Sequence, residues 1–197
     1  MYIIGNNASL INCNFTKNTA VLGAGAIYIE GSSTFMDNCN VFNNSASNAG
    51  GIWISGKENN ITNSNISYNN ATGRNNAGYG GGILIDSGTF TMNGGIISGN
   101  KAEVGGGALA LVMIRLPDKK GEFNNLKVVQ FNMNAGTIKE NLTDGDGAGV
   151  YIMKNRLPEM QQDLSPEALA EIKQAENYNK LYNGKPIASI KTGSLNG

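Results

Sequence analysis

The chain repeats itself with a period near 25 residues, and this repeat constrains its fold more than any other feature. One marker of the repeat is an apolar residue three positions before an Asn. The marked residues are Asn18, Asn44, Asn69, Asn100 and Asn141. The second marker is a pair of small residues that opens a triplet of mostly aliphatic residues. The predicted triplets are Ile27–Ile29, Ile52–Ile54, Ile83–Ile85, Ala108–Ala110 and Val150–Ile152.

The spacing of the two markers is regular. In three repeats the first residue of a triplet (Ile27, Ile52 or Ile83) precedes the next marked Asn by 17 residues. The fourth interval is longer by 16 residues, which predicts a loop insertion at about 113–128, and another long interval predicts an insertion at about 71–79. Such regularity is typical of a solenoid, in which each repeat stacks on its neighbour.

The segments within each repeat are short, β-branched and separated by Asn and Gly, which favours strands. A leucine-rich repeat is the alternative at this period, but Leu is sparse. We therefore predict an all-β fold over residues 1–153. It is a right-handed parallel β-helix with three strands per coil and five to six coils. The second strand of a coil is expected near Phe35, Ile61, Phe90 or Phe131.

Alternation along each triplet assigns its side chains to two faces. The first and third positions are expected to point inward and to stack in aliphatic columns, and the second position is expected to face solvent. The second positions run through Tyr2, Tyr28, Trp53, Leu84, Leu109 and Tyr151. Because sugars stack on exposed aromatic rings, Tyr28, Trp53, Leu84 and Tyr151 form a candidate ligand-stacking stripe. Burial of this stripe under an insertion or a C-terminal helix is the alternative.

Asn makes up 30 of the 197 residues, far above ordinary usage. Structure explains most of this excess, because Asn tolerates a left-handed backbone and its amides bond to one another in stacked strands. The marked Asn residues are therefore predicted to occupy left-handed turns and to form an amide ladder. Its members are Asn18, Asn44, Asn69, Asn100 and Asn141.

Composition excludes several classes of function. The chain has no His, which excludes Ser-His-Asp catalysis and His-ligated metal sites. Its 15 basic and 15 acidic residues cancel, so the chain has no net positive charge that would favour binding to nucleic acid or to an anionic membrane. Cys13 and Cys39 are expected at the same inward position one coil apart, either as free thiols or as a disulfide. No cofactor is predicted.

The acidic residues give little support for catalysis. A polysaccharide lyase on this fold needs clustered carboxylates and a Lys or Arg base. The acids of the first hundred residues do not recur at one position of the repeat. They are Glu30, Asp37, Glu58 and Asp86. Asp144 and Asp146 stand in part of a calcium-loop pattern without its later bidentate acid. A carbohydrate-active enzyme working near Arg115 is one alternative to a non-catalytic role, and a purely structural spacer is the other.

The repeat ends after Ile152, and residues 154–197 are predicted to form a separate C-terminal segment. Ser165 as N-cap and Pro166 as first helical residue predict a helix at about 166–182. We interpret it as an α-helical cap or flap, because a β-helix end exposes apolar columns and unpaired strands. No segment is long and apolar enough to span a membrane. The chain begins within a repeat, so we expect it to be part of a longer protein.

The motifs resemble those of surface β-helix proteins of the polymorphic outer-membrane and adhesin-like type. The repeat unit of that family contains Phe-x-x-Asn and Gly-Gly-Ala followed by an aliphatic residue. Residues Phe15–Asn18 match the first motif and Gly106–Leu109 the second. The resemblance implies an extracellular or cell-surface protein that acts in adhesion. Its partners would be surface glycans or proteins of a host or neighbouring cell.

Overall fold

A computed structural model describes residues 1–73, 78–112 and 129–153, and the backbone of two short strands near the C-terminus. The described residues form strands and no helix. The first ten strands are β1 (Tyr2–Ile3), β2 (Ser9–Ile11), β3 (Asn14–Thr16), β4 (Ile27–Ile29), β5 (Phe35–Asp37), β6 (Asn40–Phe42), β7 (Ser45–Ala46), β8 (Ile52–Ile54), β9 (Asn59–Thr62) and β10 (Ser64–Ser67). The others are β11 (Asn70–Ala71), β12 (Ile83–Ile85), β13 (Gly88–Ser98), β14 (Lys101–Ala102), β15 (Leu109–Val112), β16 (Val129–Lys139), β17 (Leu142–Thr143), β18 (Val150–Met153), β19 (Ile190–Lys191) and β20 (Ser194–Leu195).

The strands stack into three parallel sheets, so the predicted parallel β-helix is confirmed. The first sheet contains the triplet strands in the order β1-β4-β8-β12-β15-β18. The second sheet contains two ladders, β2-β5-β9 and β3-β6-β10, which merge in the 11-residue strands β13 and β16. The third sheet, β7-β11-β14-β17, consists of two-residue strands at the next corner. The second and third coils thus have the three predicted strands and a short fourth one, whereas in the next two coils the second and third strands are merged into one.

Inward aliphatic side chains form the expected columns through the centre of the helix. Each fully buried Ile contributes about 1.5–3 kcal/mol. The buried members on the first sheet are Ile27, Ile29, Ile52, Ile54, Ile83, Ile85, Leu109 and Leu111. In the last triplet, Ile152 is 41% exposed and does not continue its column as a buried residue. On the second sheet the buried residue of β5 is Met36 rather than Phe35, and Phe90 stacks on Phe131 with 5.8 Å between ring centroids.

The predicted triplet Ala108–Ala110 is wrong by one residue. Ile83 pairs with Leu109, so Leu109 faces inward and Ala110 takes the outward position. Small and large residues alternate from Ala108 to Leu111, so two frames look alike in the sequence. The core decides between them, because the two Leu side chains fill the column and Ala would leave a cavity.

The predicted Asn ladder is confirmed. Asn44 Oδ1 accepts hydrogen bonds from both the backbone N and Nδ2 of Asn18, each at 2.9 Å. The same two bonds, at 2.9–3.0 Å, recur at each later step of the ladder. The other amide proton bonds to a backbone carbonyl, as from Asn69 Nδ2 to Val41 O at 2.9 Å. The ladder is fully buried beyond Asn18, and these bonds satisfy its buried amides.

The left-handed turns lie directly before the marked Asn residues, so their predicted place is wrong. The residues with positive φ there are Lys17 (57°), Asn43 (56°), Tyr68 (54°), Gly99 (62°) and Glu140 (54°). The marked Asn must direct its N–H and its side chain along the helix axis, so the preceding residue makes the turn. A second left-handed corner lies between the two ladders of the second sheet, at Asn12 (56°), Asn38 (51°) and Asn63 (47°).

Several predicted features lie outside the described residues. They are the insertion at 113–128 with Arg115, the helix at 166–182, and residues 74–77 of the other insertion. That insertion returns to the fold at Tyr79, which bridges to Gly105. Near the C-terminus, β19 and β20 pair with β16 and extend the second sheet, which the sequence did not predict. The described residues contain no helix that could cross a bilayer.

Candidate functional site

The predicted stripe lies on the outward face of the first sheet, and its first part is an open row of aromatic rings. Tyr2, Tyr28 and Trp53 are paired across successive coils. Their ring centroids lie 5.1 Å apart between Tyr2 and Tyr28 and 5.4 Å apart between Tyr28 and Trp53. Tyr2 is 58% exposed, and the other two rings are half-buried. We call these three residues the aromatic row.

Further along the sheet the stripe is buried. Leu84 is 2% exposed, and Ala110, its partner in the next coil, is fully buried. Both belong to a second apolar cluster, on the outside of the first sheet, together with Ala49, Val112 and Met153. The predicted exposure of Leu84 is therefore wrong, and a ligand in solvent does not reach its side chain.

Tyr151 belongs to this covered part of the stripe. Its half-buried ring stacks on that of Tyr79, with 5.9 Å between the centroids and 21° between the planes. Both rings pack against the second apolar cluster. Tyr79 comes from the end of the insertion at 71–79, where no marker of the repeat distinguished it. The insertion thus contributes a residue to the face that carries the stripe.

A line of polar side chains runs beside the aromatic row. Glu30, Ser55 and Asp86 each follow the third position of a triplet, and we call them the polar row. Tyr28 Oη lies 3.2 Å from Ser55 Oγ, which donates to Asp86 Oδ1 at 2.5 Å. Glu30 and Asp86 thus occupy the same position of the repeat, so the expectation that the acids do not recur at one position is wrong. Counting from the end of each triplet would have revealed the shared position.

Two polar groups of the aromatic row have unusual surroundings. The hydrogen bond that Tyr2 donates to the Glu30 carboxylate raises the pKa of the Tyr2 hydroxyl, because only the protonated hydroxyl can make this bond. Trp53 Nε1 is shielded from solvent and has no hydrogen-bond partner. A buried indole N–H without a hydrogen-bond partner lowers the free energy of unfolding by about 1–3 kcal/mol.

The cysteines and the acidic Gly-rich turn lie away from this face. Cys39 is buried, Cys13 is half-buried and both are free thiols. Asp144 Oδ2 lies 2.9 Å from Lys101 Nζ, and both side chains are largely exposed. Asp146 is exposed, and the described part of the chain brings together no three Cys, Asp or Glu side chains that could hold a metal ion.

Comparison with known proteins identifies a family for this chain. A family model described as a right-handed beta helix region matches residues 1–114, which is more than half of the chain. No curated protein and no solved structure matches it.

Proposed function

We propose, on the premise that this chain belongs to the right-handed β-helix family, that it is a non-catalytic binding module of a cell-surface or extracellular protein. Its ligand is a glycan that binds along the first sheet. The observation that carries this proposal is the aromatic row, in which Tyr2, Tyr28 and Trp53 form a continuous, partly exposed line of rings.

The chemistry of this face suits a sugar. The apolar face of a pyranose packs on an aromatic ring, and exposed apolar surfaces of this kind mark interaction sites. The polar row supplies acceptors for hydroxyl groups at the edge of the rings. The carboxylate of Glu30 is exposed and has two oxygens with about four acceptor positions, and its bond to Tyr2 leaves others free. Asp86 is only 8% exposed and accepts the hydrogen bond of Ser55.

The proposed location rests on the family resemblance of the repeat motifs. Adhesin-like β-helices are displayed at cell surfaces, where a long row of rings can contact glycans or proteins of a neighbouring cell. This role agrees with the charge of the chain, whose acidic and basic residues balance.

Glycan binding by wild type and variants tests the proposal. Trp53→Ala removes the ring and should weaken binding at least tenfold, whereas Trp53→Phe keeps an aromatic face and should retain most of it. Phe42→Ala is the matched control, since Phe42 contacts Tyr68 in a similar aromatic pair on the second sheet. Equal binding of wild type and Trp53→Ala on a glycan array and in calorimetry would remove the aromatic row from consideration.

Hydrolysis of a glycan is the second candidate function, because two carboxylates share a register. Glu30 and Asp86 lie at equivalent positions two coils apart, which separates their backbones by about 10 Å. Inverting glycosidases place their two carboxyl groups about 6.5–9.5 Å apart, so the two side chains would have to lean toward each other, and Asp86, which is 8% exposed, would have to become accessible to the substrate. This candidate predicts release of reducing ends that Glu30→Gln and Asp86→Asn abolish. Absence of product from a panel of polysaccharides would reject it.

A further inference from the structure

A groove of about 460 Å³ opens on the outside of the second sheet, where its two ladders meet. Nearly all its lining consists of side-chain amides from the first three coils. The lining residues are Asn12, Asn14, Asn38, Cys39, Asn40, Asn63 and Asn65. Among the described residues, no charged or aromatic side chain lines this groove. We call it the amide groove.

Backbone geometry explains only half of these amides. Asn12, Asn38 and Asn63 occupy the left-handed corner, a conformation that Asn tolerates better than most residues. The other three pair with one another in strands β3, β6 and β10. They are Asn14, Asn40 and Asn65.

Asn is disfavoured at strand positions, and here it recurs in three successive coils. At the same position of the next two coils the chain has Ile96 and Thr137, which are good strand formers. The fold therefore does not require Asn at this position. A residue choice that opposes local preference is expected where a site has a function.

The groove amides have unused hydrogen-bonding capacity. Asn38 Nδ2 donates to Asn12 Oδ1 at 2.7 Å, and Asn65 Nδ2 donates to Asn40 Oδ1 at 3.2 Å. At the rim, Asn63 Nδ2 lies 3.4 Å from Asp37 Oδ1. Each amide has two donor protons and an oxygen that accepts two bonds, so these contacts leave donors and acceptors facing the groove.

We propose that the amide groove binds a neutral oligosaccharide lying along the helix axis. Hydroxyl groups donate and accept, so they match a surface that offers both. A neutral ligand fits because the lining carries no charge. A nucleic acid would need cations for its phosphates. A peptide strand would need a free backbone edge. Among the described strands that line the groove only the end strand β3 has one, and that edge faces along the helix axis rather than into the groove.

The size of the groove sets the length of the ligand. Three coils spaced by about 4.8 Å place the first and third amides about 10 Å apart. Such a span accommodates two to three sugar units. Beyond the third coil the exposed side chain of Ile96 takes the place of the amide and ends the polar surface. This site is independent of the aromatic row, which lies on another sheet.

Nuclear magnetic resonance of the ¹⁵N-labelled chain tests the proposal directly, because Asn side-chain amides give their own signals. The probes are trisaccharides of glucose, of mannose and of N-acetylglucosamine. The protein is produced without N-linked glycosylation, since Asn14 and Asn65 stand in Asn-x-Ser/Thr sequences. We expect one probe to shift the groove amides in a saturable way while the Trp53 indole signal stays in place.

The double variant Asn40→Val, Asn65→Val should bind that probe at least tenfold more weakly. Val favours strands, so the variant should keep the fold, which its backbone spectrum verifies. Asn60→Val is the matched control, because Asn60 lies in β9 outside the groove. The absence of saturable shifts at the groove amides, or unchanged affinity of the double variant, would overturn the amide groove. Loss of binding in Trp53→Ala alone would support the aromatic row and reject this second site.

Discussion

Two sets of Asn side chains, one inside the coil and one outside, show how the same residue serves different ends. Asn69 is 1% exposed, and its amide oxygen accepts two bonds from Asn44. Asn65, four residues earlier, is exposed, and its amide makes one bond with a neighbouring side chain. The buried inner amide contributes to the stability of the fold, because removing it would leave its hydrogen-bond partners unpaired in a place that water does not reach. Exposure leaves the outer amide available to a ligand.

The largest loss of stability is expected for Asn69→Ala, which tests the structural role of the inner amides. The substitution removes the bonds to the two neighbouring rungs and to Val41 O, so it should lower the free energy of unfolding by about 3 kcal/mol. Asn70→Ala changes an exposed neighbour and should alter stability by less than about 0.5 kcal/mol. Urea unfolding measures both. Equal effects of the two substitutions would contradict the structural role of the ladder.

A smaller effect is expected at the left-handed corner. Asn38 has φ of 51°, which a β-branched residue adopts only with strain, so Asn38→Val should destabilise the fold by about 1–2 kcal/mol. Asn38→Gly should leave stability within about 0.5 kcal/mol, because Gly adopts this backbone freely. Thermal unfolding of the two variants distinguishes backbone strain from loss of the side-chain bond to Asn12, which both variants lack.

The two cysteines also differ in burial, and this difference predicts different rates of chemical labelling. Burial raises the pKa of the Cys39 thiol, whereas Cys13 in the first coil is half-buried. Iodoacetamide should therefore label Cys13 about tenfold faster than Cys39 in the native protein, as mass spectrometry measures. Faster labelling of Cys39 would show that the interior is open to solvent.

The raised pKa of Cys39 also has a consequence for stability. The folded protein holds the thiol proton more tightly than the unfolded chain. The resulting stabilisation is complete below the ordinary thiol pKa and disappears as the pH rises through the raised value. Cys39→Ala should remove this part of the alkaline loss of stability, which urea unfolding at several pH values follows.

The smallest change in stability is expected for the amides on the outer face of the second sheet. Asn65→Val replaces an exposed amide in β10 with a better strand former, so its free energy of unfolding should stay within about 0.5 kcal/mol of wild type. A loss comparable with that of Asn69→Ala would mean that the outer amides also stabilise the coil. Chemical unfolding of the single variant decides between the two.

Much of the fold could be predicted from side-chain periodicity. The column of Ile27, Ile52 and Ile83 and the ladder that contains Asn69 depend on spacings that the sequence displays directly. The frame of one triplet could not be predicted, because Ala108 and Leu109 both fit an aliphatic pattern and only packing against Ile83 selects Leu109. The left-handed turns were placed one residue late for a similar reason, since the direction of a side chain depends on the completed coil.

The site was less predictable than the fold. The aromatic row could be derived from alternation, but the burial of Leu84 depends on an apolar cluster that also contains Ala49 from another coil corner. The shared register of Glu30 and Asp86 could be predicted, because each acid directly follows the last residue of a triplet. The amide groove combines two repeat positions that are adjacent only after the second sheet has turned its corner.

The repeat in the amino-acid sequence is enough to specify a parallel β-helix, because a repeated hydrophobic pattern has a low free energy only when its copies stack. The repeat does not specify which outward side chains remain in solvent, and this became known from the folded chain. Exposure depends on what the corners, insertions and neighbouring coils place over a face, and no local pattern encodes such distant contacts. Trp53 and Leu84 occupy the same position of the repeat and pair in adjacent strands. The ring of Trp53 is nevertheless partly exposed, whereas Leu84 is buried.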